Sequence, residues 1–151
     1  QSFQKVKKRV EEAKLILVGN GRDSVKIKNF VKSNSINDVI FTGEVSNDII
    51  PELLNCANVF AFASLYEGSP TVIKEALSCN LPVVSVDVGD VKSVISDLDG
   101  CFLAERNTID FAEKIIRVLN FNKRFKLRQK ALKYSNENIS SVTLKYYQQL
   151  F

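Results

Sequence analysis

Short runs of apolar, largely β-branched residues recur along the chain at 15–18, 39–42, 59–63, 82–86 and 101–103. Each is too short for an amphipathic helix and reads as a strand buried on both faces. Between them the apolar positions change to a 3.6-residue spacing, as in Ile27, Phe30 and Val31 and in Ile49, Ile50, Leu53, Leu54 and Ala57. Strands alternating with helices in this way predict a doubly wound, parallel α/β sheet. After Thr108 the strand pattern stops, and Ile109, Ala112, Ile115, Ile116 and Leu119 form one apolar stripe. Two further helices are predicted over 124–134 and 140–150, with Asn120 and Asn122, then Asn136 and Asn138, as the breaks.

With 151 residues and 45% hydrophobic composition, residues 1–151 are expected to form a single domain around one core. The chain opens on Gln1 and enters helical spacing at once with Phe3, Val6 and Val10, which leads to the expectation of a piece of a longer polypeptide. Cys56, Cys79 and Cys101 are scattered and sit among apolar neighbours, so they read as reduced core thiols. The absence of histidine excludes a histidine-based triad, and no cysteine pair has zinc-ligand spacing, so no metal is expected. No run of about 18 apolar residues occurs. The net charge is only +4, but Lys5, Lys7, Lys8 and Arg9 crowd one end and Lys123, Arg124, Lys126, Arg128, Lys130 and Lys133 the other. These runs read either as solvated helix faces or as a surface for anionic lipid or phosphorylated substrates. No nucleic-acid recognition motif accompanies them.

Ligands of open α/β sheets bind outside the carboxyl ends of the strands, and the unusual residues of this chain fall there. Gly19, Asn20 and Gly21 follow the first strand, Gly43 and Glu44 the second, residues 64–71 the third, and Asp87, Val88, Gly89 and Asp90 the fourth. Gly19 and Gly21 serve either a turn requiring positive φ or a phosphate contact, and the third glycine of a dinucleotide fingerprint is missing. Glu67 and Glu75 stand eight positions apart on either side of a predicted helix start. A carboxylate accepts strong bonds from neighbouring hydroxyls, and the free N–H groups of a helix start suit a diphosphate. Pro70 costs no helix bond at the first helical position.

The ordered match of residues 59–70 and 72–85 resembles the donor-binding domain of family 4 retaining glycosyltransferases, and the resemblance extends from the strand at Leu15 to Gly89 and Gly100. It implies a Rossmann-like fold, the C-terminal half of a GT-B glycosyltransferase with extra C-terminal helices, and a nucleotide-sugar donor with no further cofactor or metal. It implies that Glu75 binds the ribose hydroxyls and that Glu67, the catalytic candidate, faces the donor sugar. The backbone of Gly68, Ser69, Pro70 and Thr71 would hold the diphosphate. Gly19 and Gly21 would let the chain pass close to the donor, and Gly43 and Glu44 would lie near the base. The implied reaction is retaining sugar transfer, hexosyl in type, to a glycan or lipid-linked acceptor in polysaccharide or glycolipid assembly. The acceptor would be bound mainly by an N-terminal domain outside this chain.

The pattern departs from the family at Ala63, where proline is usual, at Asn80, where glycine is usual, and at Asp90 and Ser93, where glycine and glutamate are common. Asparagine tolerates the left-handed region, so the turn at Asn80 is expected to survive. The diphosphate-binding arginine and lysine of the family would lie upstream of Gln1, together with the first strand, so the isolated domain is expected to be inactive. A cytoplasmic location is expected, with peripheral contact at the inner face of an anionic membrane. The alternative is a catalytically silent nucleotide-sugar-binding or regulatory subunit of the same fold. Base, sugar, acceptor and oligomeric state stay open.

Overall fold

The computed structural model describes residues 1–121 and 123–150; the expected break at Asn122 lies outside the described residues. Helix α1 (Ser2–Lys7) leads into strand β1 (Leu15–Val18), helix α2 (Ser24–Ser33) and strand β2 (Val39–Gly43). A 3-10 turn runs into α3 (Ile50–Cys56), followed by β3 (Phe60–Phe62), α4 (Thr71–Ser78), β4 (Val83–Val86), α5 (Val91–Ile95), β5 (Phe102–Ala104) and α6 (Thr108–Leu119). Two more helices, α7 (Arg128–Ala131) and α8 (Asn136–Gln148), complete the order. All strand pairs are parallel, with helices as crossovers.

The strands form a two-stranded sheet, β1-β2, and a three-stranded sheet, β3-β4-β5. β1 and β3 therefore each pair with one strand among the described residues. The core gathers around the larger sheet. β4 reads Val-Val-Ser-Val and all four positions are buried, as a central strand covered on both faces requires. Its one polar side chain, Ser85, is satisfied by donating to the carbonyl of Val86 at 2.8 Å. Each fully buried valine contributes about 1.5–3 kcal/mol. Val6 of α1 and Leu54 of α3 join the same core, whereas α2 buries no residue and Ile16, Val18 and Ile40 of the smaller sheet stay exposed.

Helix α6 is capped by Asn107, whose Oδ1 accepts from Ile109 N–H at 3.0 Å and Asp110 N–H at 2.9 Å. The expected stripe needs rotation: Phe111, Ala112, Ile115, Ile116 and Val118 are buried, whereas Ile109 is 63% exposed. Asn120 caps the end as expected.

The expected helix over 124–134 is shorter. Helix begins only at Arg128 and tightens to a 3-10 turn at Leu132. Phe125 and Leu127 are instead buried in irregular chain. The cause is tertiary, because Phe125 packs against Gly100, where a Cβ would lie 2.3 Å from its ring. Asn136 and Asn138 are not breaks either. Ser135 caps α8 by accepting from Asn138 N–H, and the Asn138 side chain donates to the carbonyl of Leu132 at 2.6 Å.

Of the three cysteines, Cys101 is buried, Cys79 partly buried and Cys56 exposed, so the expectation of core thiols fails at Cys56. Its position at the last turn of α3 faces it outward.

Candidate functional site

The parallel pairing sets the carboxyl ends of β3, β4 and β5 side by side. From β3 the chain runs through Leu65, Tyr66, Glu67, Gly68 and Ser69, all exposed, to Pro70, which is buried. Pro70 has φ −65° and ψ 115° and caps α4, so Thr71 is the first helical residue. Proline thus precedes the first helical position, and its missing N–H removes one of the orphan donors of the helix start. No side chain caps α4. The N–H groups of Gly68, Ser69 and Thr71 donate to no group among the described residues.

The loop after β4 closes onto this segment. Gly89 has φ 55°, and a Cβ there would lie 2.2 Å from the Gly68 carbonyl oxygen and 2.8 Å from that of Glu67. Asp90 N–H donates to the Gly68 carbonyl at 3.0 Å. The Asp90 carboxylate accepts from the Ser69 hydroxyl at 2.7 Å and from Lys74 Nζ at 3.0 Å through both oxygens. Burial alone would raise the pKa of Asp90, but the hydrogen bonds from Ser69 and Lys74 and the charge of Lys74 outweigh it and hold the carboxyl below its usual range.

Beyond β5, Arg106 donates to the carbonyl of Asp87 at 3.1 Å and reaches that of Leu65 at 3.5 Å, tying the β3 and β4 exits together. Neither Arg106 nor Lys74 was identified from sequence. An arginine two residues past a strand is the signal for the first, while the partner of Lys74 lies 16 residues away.

Glu67 and Glu75 are both exposed, and neither side chain has a hydrogen-bond or ion-pair partner among the described residues. They flank the α4 start: Glu67 on the loop before it, Glu75 one turn beyond Thr71 on the helix. Two carboxylates free to accept and a set of unpaired N–H groups between them can bind a ligand bearing hydroxyls and an anionic centre.

Gly19, Gly21, Gly43 and Glu44 gather at the end of the smaller sheet. Gly19 N–H donates to the Gly43 carbonyl at 2.8 Å. Gly19 and Gly43 have φ of 104° and 70°, so both need glycine, while Gly21 does not. No hydrogen bond joins this pair of loops to the segment from Glu67 to Glu75 among the described residues. Arg22, next to Gly21, is exposed with no carboxylate partner among the described residues. No three His, Cys, Asp or Glu side chains among the described residues gather as a metal site would require.

Comparison with known proteins extends this picture. Residues 1–120 match the family described as glycosyl transferases group 1. An uncharacterized glycosyltransferase of Methanocaldococcus jannaschii is 40% identical over 88 residues, 58% of this chain and 21% of that protein. The N-acetyl-alpha-D-glucosaminyl L-malate synthase of Bacillus anthracis is 34% identical over 121 residues, 79% of this chain and 31% of its own. Among solved structures, a mutant of S. aureus TarM in complex with Fondaparinux, alpha-GlcNAc-glycerol and UDP superposes with a TM-score of 0.78 at 25% identity, covering 93% of this chain and 30% of that one. The chain thus spans between a fifth and a third of the length of these three proteins. The fold is the Rossmann-like α/β arrangement shared by the GT-B glycosyltransferases among its structural neighbours.

Proposed function

Because the chain belongs to the glycosyl transferases of group 1, we propose that the loops at the β3 and β4 exits bind a nucleoside diphosphate sugar. On this reading the polypeptide that carries it transfers the sugar, with retained configuration, to a glycan or lipid-linked acceptor. The observation that carries the reading is the pair of unpartnered carboxylates, Glu67 and Glu75, on either side of free backbone N–H groups at the α4 start. Glu75 accepts from the ribose hydroxyls, and the N–H groups of Gly68, Ser69 and Thr71 meet the diphosphate. Pro70, without an N–H, shapes the entry to the helix. Glu67 bonds a hydroxyl of the sugar and favours the positive charge that grows at its anomeric carbon. Gly19 and Gly21 give the donor close passage, and Gly43 and Glu44 border the base.

In the reaction the bond from the anomeric carbon to the diphosphate oxygen breaks as the bond to the acceptor oxygen forms on the same face. The acceptor proton passes to the departing phosphate. Such a step depends on positioning and charge stabilisation, and no protein nucleophile is required.

The relatives are several times longer than this chain, and part of the site belongs to the remainder. On this reading a further strand lies between the two sheets, against the edges of β1 and β3 that are unpaired among the described residues, and carries the cations that complete the diphosphate pocket. The isolated domain therefore binds donor weakly and does not turn over.

A thermal-shift panel of UDP, GDP, ADP and their sugars, on the full-length polypeptide, tests the reading. Ligand at 100 times its dissociation constant adds about 2.7 kcal/mol, and one base should stand out. No shift with any of them overturns the proposal.

A further inference from the structure

Among the described residues, the ion pair between Lys74 and Asp90 holds the least exposed cation of any salt bridge, with Lys74 13% and Asp90 33% exposed. Three groups close a triangle: Ser69 Oγ to Asp90 at 2.7 Å, Lys74 Nζ to Ser69 Oγ at 2.8 Å, and Lys74 Nζ to both Asp90 oxygens at 3.0 Å. Lys74 Nζ also lies 5.5 Å from the centre of the Tyr134 ring, so the C-terminal segment backs the cluster. Asp90 occupies the N-cap position of α5, where an aspartate commonly accepts from its own helix. Here it caps no N–H of α5, and its carboxylate is turned across to the neighbouring loop.

That loop is the one with the free N–H groups. Gly68 and Ser69 have no secondary structure to fix them, and backbone donors grip a phosphate only when they are already aimed together. The ties from the Ser69 hydroxyl and the Gly68 carbonyl to Asp90 do the aiming. A bare carboxylate so near an anionic ligand would repel it. The bidentate ammonium of Lys74 neutralises Asp90, so the cluster imposes geometry without a net charge.

Resting on the donor-site reading, we propose that Asp90 is a positioning residue of the diphosphate site, acting through Ser69 and Lys74 to hold the N–H groups of Gly68, Ser69 and Thr71 in their binding arrangement. The two roles open to Asp90 predict opposite signs. As a charge, its loss would free the Lys74 ammonium to attract the ligand and tighten diphosphate binding. As a clamp, its loss loosens the donors and weakens binding.

The experiment is calorimetric titration of the full-length polypeptide with UDP and with UMP, or with the corresponding guanine or adenine pair if wild type prefers it. Asp90→Asn is expected to weaken diphosphate binding about tenfold, or about 1.4 kcal/mol, while monophosphate binding changes less than about twofold. Ser69→Ala, which alters no charge, should move in the same direction by less, and it carries the test if Asp90→Asn does not fold. Unchanged or tighter diphosphate binding, or equal loss for both nucleotides, overturns the clamp while leaving the donor site standing. A wild-type protein that binds none of the diphosphates overturns the donor-site reading and the clamp with it.

Discussion

Gly89 lies so close to Gly68 that a single added carbon would sit 2.2 Å from its carbonyl oxygen. Gly89→Ala therefore forces the two loops apart and also strains a backbone at φ 55°. Overpacking of this kind costs about 1–3 kcal/mol. Urea denaturation should show the loss, and nucleotide affinity should fall with it, because the displaced segment carries Glu67 and the free N–H groups.

The two glutamates should separate by role. Glu75→Ala is expected to abolish the nucleotide-induced thermal shift of the full-length protein. Glu67→Ala should preserve that shift and lower transfer by about a hundredfold, the scale of losing one transition-state contact. Equal loss of nucleotide binding in both variants would mean that the roles are misassigned.

Asn80 does two jobs at once. It sits at φ 57°, and its Oδ1 accepts from Leu127 N–H and Arg128 N–H at 2.9 Å each, capping α7. Asn80→Gly keeps the turn but strips the cap, at about 1 kcal/mol. Asn80→Ala strips the cap and strains the turn, adding about 1–2 kcal/mol. Chemical denaturation should rank wild type above the glycine variant and the alanine variant last, with faster amide exchange at Leu127 and Arg128 in both.

The thiols should differ in reactivity and in their pH signature. Burial pushes Cys101 up to about 11, opposed by a hydrogen bond from Val83 N–H, whereas Cys56 is exposed. Iodoacetamide at about pH 8 should label Cys56 first and Cys101 only on unfolding, as peptide mass spectrometry would report. With its folded value raised, Cys101 retains its proton longer in the native state than in the unfolded one. Its contribution to stability is whole below the ordinary thiol value and is lost as pH rises toward 11. Asp90 behaves in the opposite sense: its lowered value adds stability that is present above the usual carboxylate range and lost as acid protonates it.

Where a residue's surroundings are local, the sequence was readable. The run Val83, Val84, Ser85 and Val86 announces a strand buried on both faces, and Asn80 adopts the left-handed turn expected of it. The loop with Glu67, Gly68 and Ser69 stands at a strand exit for the same reason. The remainder depends on partners far along the chain. Phe125 and Leu127 carry a pattern compatible with a helix, and only the packing of Phe125 on Gly100 keeps that segment irregular. Asp90 stood out as a departure, yet its tie to Lys74 and Ser69 is a product of the crossover from β3 through α4 to β4, which no spacing encodes.

The edges of β1 and β3, unpaired among the described residues, also bear on how the domain behaves in a test tube. A row of unpaired backbone donors and acceptors is a template for another copy of the same strand. The apolar positions left uncovered beside them, Ile16, Val18 and Ile40, would make such contacts adhesive. Purified alone, the domain should self-associate as its concentration rises, edge against edge. If a further strand pairs those edges, as proposed, it should suppress this, so solubility becomes a simple gauge of whether the sheet is closed.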